Sequence, residues 1–488
     1  MPANFVPSTQ ELLRFAPEML LTLVATLLMM LEAISGPGGK RKFAWIAFFS
    51  LAAAIALAIS AAADPGPAFS AMLVIDGYST FFRVLVMVVG LLTILISNKY
   101  LDGEGHQSGE YYALLLFSII GQSIMATANE LIMIFIGLEC SSIATYVLAG
   151  YLRDDKRNNE SALKYFLLGS FATAFLLFGV AWIYGLTGTT NLTQIRAALL
   201  DPQAHPNMLI LGAATAMMFV GFAFKISAAP FQMWAPDVYQ GAPAPVAAFM
   251  SAGPKAAAFA MFLRVLMTAF EPVKDRWEPI LWTSTLATMV IGNFSALRQS
   301  NIKRLLAYSS IAHAGYVLVA VTTHSEIGIA AAMFYLASYA LMNIGAFAIV
   351  THVARKGEQY VEISDFAGLS QRQPLVAAML TVFLLSLTGI PLTAGFFGKF
   401  YIFKAALDAN MVWLAVLGML NSAVAAYYYL RVIVVMYMHA PAEGAAELPA
   451  PSAGIRLAVL STAIATIALG IFPSFVLDYA GKSAALIR

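Results

Sequence analysis

Five ionisable side chains occur deep inside stretches of sequence that are otherwise apolar. They are Glu139, Lys225, Lys255, His313 and Lys399. A charged residue at the centre of a bilayer costs about 2.5–3.5 kcal/mol on insertion scales, so such a residue indicates function by default. Glu139 lies about ten residues into its stretch, which at ~1.5 Å per residue is close to the middle of a ~30 Å hydrocarbon core.

These residue types suit the loading and release of protons. Burial favours the neutral forms of lysine and glutamate, whereas an ion pair between them favours the charged forms. A lysine whose carboxylate partner can be near or far can therefore change its protonation state, which arginine cannot do. Histidine adds a group that titrates near neutral pH.

The alternative is that each of these residues belongs to an ion pair that only holds helices together. The similar depth of all five, and the position of two of them beside predicted helix breaks, favours a proton pathway over this alternative. We expect no comparable set of charges elsewhere in the apolar stretches.

Other charges have simpler explanations from their positions alone. Glu160 and Lys164 are four residues apart where a helix is predicted to begin, which is typical of a helix-start charge pair. Arg431 can reach the membrane surface with its long side chain, and structural and functional interpretations are equally open. Asp237 directly follows Pro236 and is predicted to be a turn or cap residue.

The composition places the chain in a membrane. Of its 488 residues, 60% are hydrophobic and 11% charged, and the mean hydropathy is +0.78, whereas soluble domains are about 45–50% apolar and ~25% charged. Fourteen stretches satisfy the length of about 20 mostly apolar residues that a span needs. They are 11–33, 43–63, 76–96, 111–128, 130–151, 161–184, 207–229, 242–268, 277–297, 302–321, 327–352, 374–404, 411–438 and 455–478.

Charge and cysteine content exclude several other function classes. A net charge of +2 without a basic block argues against a nucleic-acid partner. The single cysteine, Cys140, cannot hold an iron–sulfur cluster or a c-type haem, and the six histidines lack metal-ligand spacing. We therefore predict that this chain carries no metal or cofactor.

Lysine and arginine are distributed unequally between the loops. Loops after odd-numbered spans hold thirteen of these residues and the opposite side holds five. Because basic residues concentrate on the cytoplasmic side, both termini are predicted to lie outside the cytoplasm, as an even number of spans requires.

Two of the predicted spans are interrupted by helix-breaking residues. In span 7, Pro230 and Pro236 follow Lys225. In span 12, the stretch "GIPLTAGFFGK" contains helix-breaking glycine and proline residues and ends at Lys399. The breaks are five spans apart, and paired broken helices are typical of transporters with inverted repeats. The sequence thus predicts one membrane domain, with three N-terminal helices (1–110), a first repeat of spans 4–8 (111–270), a second repeat of spans 9–13 (271–440), and a linker with the last helix (441–488).

Four motifs resemble the antiporter-like subunits of respiratory complex I. They are "FKISAAPFQMWAPDVYQGAPAPVAAFMSAGPKAAAF", "ALKYFLLGSFATAFLLFG", "NIKRLLAYSSIAHAGY" and "GIPLTAGFFGKFYIF". The wording "PDVYQGAPAPV" is most similar to subunit N, and Lys399 stands where subunit M typically has a glutamate. The resemblance covers about residues 110–435.

The resemblance implies an all-α fold of fourteen helices with helices 7 and 12 discontinuous. It also implies that Glu139 pairs with Lys225, that Lys255 is the central lysine, that His313 relays toward the second half, and that Lys399 is the terminal lysine. The match of "ESALKYF" adds Glu160 and Lys164 to the pathway. Arg431 stays a further candidate, with its structural and functional interpretations equally open. Flavin, iron–sulfur clusters and quinone are expected in partner subunits.

The resulting hypothesis is a proton-translocating membrane subunit of a bacterial NADH–quinone oxidoreductase in the cell inner membrane, assembled with other membrane subunits. One alternative is a subunit of a cation/proton antiporter or a membrane-bound hydrogenase with the same fold. Another is a non-conducting scaffold that joins membrane subunits.

Overall fold

The computed structural model describes residues 6–35, 40–203, 207–441 and 448–485, which are almost entirely helical. The helices are α1 (Thr9–Arg14), α2 (Ala16–Ile34), α3 (Arg41–Ala61), α4 (Gly77–Glu104), α5 (Gly109–Thr127), α6 (Leu131–Ala149), α7 (Lys156–Thr187), α8 (Leu192–Leu200), α9 (Met208–Ile226), α10 (Trp234–Gly241), α11 (Ala244–Thr268), α12 (Lys274–Ala296), α13 (Ile302–Thr322), α14 (Glu326–Ala354), α15 (Leu369–Arg372), α16 (Pro374–Thr388), α17 (Ala394–Asp408), α18 (Val412–Met438), α19 (Ala453–Ile471) and α20 (Ser474–Ala484). Two short strands, β1 (Gly66–Ala68) and β2 (Leu73–Ile75), pair antiparallel with Gly66 opposite Ile75.

Eleven of the described helices are long and apolar enough to cross a membrane, so the chain is a multi-pass membrane protein. They are α2, α3, α4, α6, α7, α9, α11, α13, α14, α18 and α19. Every predicted span overlaps at least one helix; span 12 overlaps both α16 and α17, and α9, the helix of span 7, is followed after a break by α10. The all-helical class and both discontinuities are confirmed, whereas the count of fourteen crossings and the inverted repeats stay predictions.

The ends of the first and last predicted spans differ from the structure. The first long helix begins only at Ala16, because the chain turns at Phe15 and places Pro17 in the first turn of α2. In the structure, the helix of the last span, α19, ends at Ile471, and Pro473 caps the start of the separate helix α20. Proline is tolerated in a first turn but not in a helix interior, so each of these prolines starts a new helix.

The β-hairpin between α3 and α4 was not predicted from the sequence. Its connection places Phe69, Ser70 and Ala71 at φ values of 52°, 57° and 64°. This left-handed region normally requires glycine or asparagine, and a sequence without them at these positions carries no hairpin signal.

Helix α11 lies at the centre of the bundle, and all of its 25 residues are buried. Its sequence is rich in alanine, and small side chains let neighbouring helices approach closely where lipid provides no hydrophobic drive for association. Helices α13 and α14 pack on it and are also almost wholly buried. Lys255 and Arg264 on α11, and Lys303 and His313 on α13, therefore lie inside the protein and not against lipid.

Two close helix contacts fix the helices that carry ionisable residues. A Cβ added at Gly121 of α5 would lie 2.5 Å from the Gly137 carbonyl oxygen, so α6 can sit this close only because both positions are glycine. In the second half, a Cβ added at Gly292 of α12 would lie 2.5 Å from the Ala312 nitrogen of α13. These contacts position Glu139 and His313, which are close in sequence to Gly137 and Ala312.

At the first break, α9 ends at Ile226 and α10 starts at Trp234. The exposed backbone finds partners inside the protein: Trp234 Nε1 donates to the Phe224 carbonyl at 2.8 Å, and Ala229 N donates to Thr288 Oγ1 of α12 at 2.8 Å. Such pairing is what allows irregular backbone at membrane depth.

At the second break, α16 ends at Thr388 and α17 starts at Ala394. Gly389 ends α16 with φ 96°, a left-handed conformation that glycine adopts without strain. Gly395 N donates to Ser386 Oγ at 3.1 Å, which ties the start of α17 back to the end of α16.

Candidate functional site

Lys225 lies in the last turn of α9, directly before the first break, and is 4% exposed. Its Nζ donates to Ser142 Oγ of α6 at 2.8 Å and to the Tyr165 hydroxyl of α7 at 3.3 Å. The Ser142 hydroxyl donates its own hydrogen to the Leu138 carbonyl at 2.5 Å, so its oxygen is free to accept from the lysine.

Glu139 lies on α6 three residues before Ser142, on the same face of the helix, and is half-buried. No ion pair within 4.0 Å joins Glu139 to Lys225 in the described part of the chain, where the lysine instead contacts two hydroxyls. The structure therefore shows the arrangement in which the carboxylate is apart from the lysine, and not the pair that the resemblance implied.

An aromatic stack connects the Lys225 site to the second half of the broken helix. The Tyr165 ring lies 4.5 Å from the Trp234 ring at an interplanar angle of 6°, and Trp234 lies 5.1 Å from Phe224. Tyr146 of α6 packs edge-on against Tyr165 at 4.7 Å. The Tyr165 ring, whose hydroxyl accepts from Lys225, is thus held by residues of α6, α9 and α10.

Lys255 is in the middle of α11, directly after Pro254, and is 3% exposed. Its Nζ donates to the Ser310 carbonyl of α13 at 3.0 Å and also to the Ser310 hydroxyl. The described residues show no carboxylate within 4.0 Å of this ammonium group.

His313 follows Ser310 by one helical turn on α13. Its Nδ1 lies 2.5 Å from the Tyr335 hydroxyl of α14, and its Nε2 lies 3.0 Å from the Tyr429 hydroxyl of α18. Tyr429 also bonds the Ser309 hydroxyl. Both ring nitrogens and all these hydroxyls can either donate or accept, so a proton can move along them by exchange of hydrogen bonds.

Lys399 lies on α17, after the second break, and is 6% exposed. Its Nζ donates to the carbonyls of Leu387 and Thr388 at 3.0 and 2.8 Å and to Ser422 Oγ of α18 at 2.7 Å. The same nitrogen lies 4.8 Å from the centre of the Tyr316 ring, a cation–π distance.

One face of α13 therefore joins the central lysine to the terminal one. Ser310, His313 and Tyr316 follow at intervals of three residues, and contact Lys255, two tyrosine hydroxyls and Lys399 in turn. The ring centroids of His313 and Tyr316 are 5.7 Å apart. Four of the five predicted residues thus lie in two buried groups, Lys225 with its hydroxyls, and the line from Lys255 through His313 to Lys399.

Tyr239 is a buried polar residue between these two groups that sequence reasoning missed. It lies on α10, packs against Trp234 at 6.0 Å, and neighbours Ser310. Its hydroxyl is fully buried and has no hydrogen-bond partner among the described side chains and backbone. The signal in the sequence is the position of Tyr239 within the "PDVYQGAP" motif. A tyrosine carries no charge, so it does not stand out in an apolar stretch as a lysine does.

Glu160 and Lys164 form the predicted i,i+4 ion pair at 2.7 Å, near the start of α7. The prediction that Asp237 is a turn or cap residue is wrong, because Asp237 lies inside α10 and bridges Lys164 at 2.9 Å and Arg304 at 2.6 Å. The cluster joins α7, α10 and α13 and remains partly exposed, at 64%, 41%, 37% and 30% for the four side chains in sequence order.

Arg431 lies apart from the buried lysines. Its guanidinium donates to the Leu297 carbonyl at 3.1 Å and to the Gln299 carbonyl, both at the end of α12. A cation there binds carbonyls that lack intrahelical partners and interacts favourably with the negative end of the helix dipole. This geometry supports the structural interpretation of Arg431.

The expectation that no comparable buried charges exist elsewhere is wrong. Glu18 of α2 and Arg83 of α4 form a bidentate pair at 2.9 and 2.6 Å with both residues fully buried. Asp76 and Arg264 form a second buried pair at 2.9 Å. A signal was present, because Glu18 and Arg83 each lie seven residues into spans 1 and 3, which run in the same direction and so place them at equal depth.

Lys303 is one of the thirteen basic residues that the sequence assigned to loops, but in the structure it is buried at the start of α13, where it is 1% exposed. Its Nζ lies 2.5 Å from Glu358, and the same carboxylate accepts from the Ala244 nitrogen at the start of α11 at 2.6 Å. Glu358 therefore links the ends of the two helices that carry Lys255 and His313. Over the described ranges, no group of three or more His, Cys, Asp or Glu is placed to hold a metal ion.

The region that carries the five buried residues matches a family model. The model describes the transmembrane part of NADH:quinone oxidoreductase and Mrp antiporters, and it matches residues 128–425.

Comparison with individual proteins extends this similarity to the full chain. The NADH-quinone oxidoreductase subunit N 1 of Solibacter usitatus is 60% identical over 100% of both chains. A chain of respiratory complex I from Thermus thermophilus superposes with a TM-score of 0.80 and 33% identity, covering 95% of this chain and 99% of that one. A chain of the Mrp complex from Dietzia shares the fold, with a TM-score of 0.84 at 21% identity over 98% of both chains.

Proposed function

Because this chain belongs to the NADH-quinone oxidoreductase subunit N family, we propose that it conducts protons across the bacterial inner membrane as a subunit of respiratory complex I. The proposed pathway consists of Glu139, Lys225, Lys255, His313 and Lys399, driven by redox chemistry in other subunits. The observation that carries this proposal is the face of α13 on which Ser310, His313 and Tyr316 connect Lys255 to Lys399.

The Lys225 site is the loading step of the proposed pathway. With Lys225 bound to Ser142 and Tyr165, the carboxylate of Glu139 is not within ion-pair distance of the ammonium group. A shift of the lysine by one turn along α6 brings it from Ser142 to Glu139, and that pair favours the protonated lysine. The two positions differ in proton affinity, which is what a loading site requires.

Transfer from Lys225 to Lys255 passes through the region of Tyr239 in this proposal. Its buried, unpartnered hydroxyl lies beside Ser310, the residue that binds Lys255. From Ser310 the proton moves along His313 and its tyrosine partners toward Lys399. The partly exposed cluster of Glu160, Lys164 and Asp237 is proposed to position α10 and to attract protons at the surface.

The charge distribution of the loops orients the proposed transfer. The count of thirteen basic residues against five supports a proposed orientation with the Glu160 cluster on the cytoplasmic side and both termini on the periplasmic side. The proposed repeats, residues 111–270 and 271–440, then each contribute one broken helix with its lysine.

The test removes the central charge and measures coupling in the intact complex. Lys255→Gln keeps a polar side chain that can still bond Ser310 but cannot carry a proton. In vesicles containing the reconstituted complex, we expect protons moved per NADH oxidised to fall several-fold. Lys404→Gln is the matched control, because Lys404 is exposed on α17 and outside the pathway. An assembled Lys255→Gln complex with an unchanged ratio would overturn the pathway.

A further inference from the structure

A large apolar cavity lies between α9, α11 and α12, apart from the buried ionic residues. Its volume is about 590 Å³, within the ~300–1,000 Å³ typical of ligand pockets. Its walls are formed mainly by aromatic and aliphatic side chains, including Met218, Phe219, Phe222, Phe262, Leu266 and Leu281. None of the five pathway residues lines it.

The cavity is long and runs along the membrane-spanning direction of α9. Its lining extends from Met208, at the start of α9, to Phe222 and then to Pro230 and Phe231 in the first break. Fourteen residues of helix correspond to about 21 Å, somewhat more than one half of a ~30 Å hydrocarbon core. The shape suits an extended hydrocarbon chain that enters from one leaflet.

The mouth of the cavity carries a cation and an indole ring. Arg276 and Trp277, near the start of α12, both line it, and Arg276 is exposed. The nearby carboxylates of Glu271 and Glu278 are paired with Arg196 at 3.3 Å and with His324 at 3.5 Å. Arg276 is left without an ion-pair partner among the residues that the structure describes.

We propose that this cavity binds an acyl chain of an anionic phospholipid whose headgroup contacts Arg276. An apolar slot that opens beside an unpaired arginine complements both parts of such a lipid, since a guanidinium group can bind a phosphate through two parallel hydrogen bonds. Tryptophan at the mouth is typical of the membrane interface. The bound chain would pack against Pro230 and Phe231, five and six residues beyond Lys225.

Photolabelling of the purified complex tests the site. The probe is phosphatidylglycerol with a diazirine on one acyl chain, and the matched neutral probe is phosphatidylcholine with the same chain. Gly212 lines the cavity and a Cβ there meets nothing within 4 Å, so Gly212→Leu adds a side chain to the cavity wall at a position with open space. Gly185→Leu is the control, because Gly185 is exposed on α7, also has open space, and lies outside the cavity.

Labelled peptides from α9 and α11 are expected with phosphatidylglycerol in the unmodified complex. Gly212→Leu should reduce this labelling several-fold and Gly185→Leu should leave it unchanged, with assembly verified for both. Arg276→Gln should reduce labelling by phosphatidylglycerol to the level seen with phosphatidylcholine.

Equal labelling by the two probes in the unmodified complex would overturn the anionic headgroup. The site itself would be overturned if labelling survived Gly212→Leu. It would also be overturned if a neighbouring subunit, and not lipid, were found in the cavity. Labelling is measured without turnover, so it does not depend on whether the chain conducts protons.

Discussion

Lys225 and Lys399 both lie beside a helix break, but on opposite sides of it and against different kinds of atom. Lys225 precedes its break and contacts the hydroxyls of Ser142 and Tyr165, which belong to other helices. Lys399 follows its break and contacts one hydroxyl, that of Ser422, together with two main-chain carbonyls at the end of α16, those of Leu387 and Thr388.

This difference determines which kind of group holds each lysine in place. A hydroxyl can accept from an ammonium group or donate to a neutral amine, so the side-chain partners of Lys225 can reorient around it. A carbonyl only accepts, so Lys399 keeps its contacts with Leu387 and Thr388 only by donating toward the end of α16. A change in the charge of Lys399 therefore acts on the backbone that joins α16 to α17, whereas a change in the charge of Lys225 acts on side chains that can rearrange.

The largest expected effect comes from Lys399→Gln. Glutamine cannot reproduce the three contacts of the ammonium group, and each buried carbonyl left unsatisfied costs about 1–3 kcal/mol. We expect less assembled complex in membranes, measured by native gel and NADH oxidation, together with loss of proton pumping.

Lys399→Arg separates the two roles of this residue. Arginine still donates to the carbonyls but stays protonated, so assembly should recover while pumping does not. If Lys399→Arg pumps normally, proton release at Lys399 is refuted and only the capping role remains.

A smaller effect on assembly is expected for Lys225→Gln. Ser142 keeps its bond to the Leu138 carbonyl and Tyr165 keeps its stack on Trp234, so the Tyr165 hydroxyl is the described group that loses its hydrogen bond, against two carbonyls and a hydroxyl at Lys399. The amount of complex should be close to normal while protons moved per NADH fall several-fold, measured in the same vesicles. A loss of assembly as large as that of Lys399→Gln would show that the comparison between the two breaks is wrong.

The smallest effects are expected at the surface end of the first broken helix. Glu160→Gln removes one exposed ion pair, which is worth about 0–1 kcal/mol, whereas Asp237→Asn weakens two bridges that hold α10 against α7 and α13. Thermal stability of the complex should fall more for Asp237→Asn, and the difference should shrink at high salt. Equal shifts would mean that Asp237 does not position α10.

The residues of both breaks were predictable from the sequence, but their partners were not. Pro230 and Gly389 signal interruptions by local chemistry, and Lys225 and Lys399 stand out as charges in apolar stretches. The Glu139–Lys225 pair followed from resemblance alone, and the structure places Ser142, one turn away, against the lysine instead.

Buried polar residues show where sequence reasoning loses information. Glu18 and Arg83 are each a single charge within a separate span, and only their hydrogen bonds in the structure reveal them as a pair. Tyr239 is uncharged and gives no hydropathy signal. Detecting them requires knowing which helices are neighbours.

The sequence by itself determined the membrane class, the helical architecture, the two discontinuous helices and the five buried ionisable residues. These follow from local composition and from the high cost of charge and broken backbone in hydrocarbon. Only the tertiary structure decided which atoms each residue meets, since Lys225 and Ser142 are 83 positions apart and His313 and Tyr429 are 116 apart. Their contacts depend on how whole helices pack, and close approaches such as Gly121 to Gly137 set that packing.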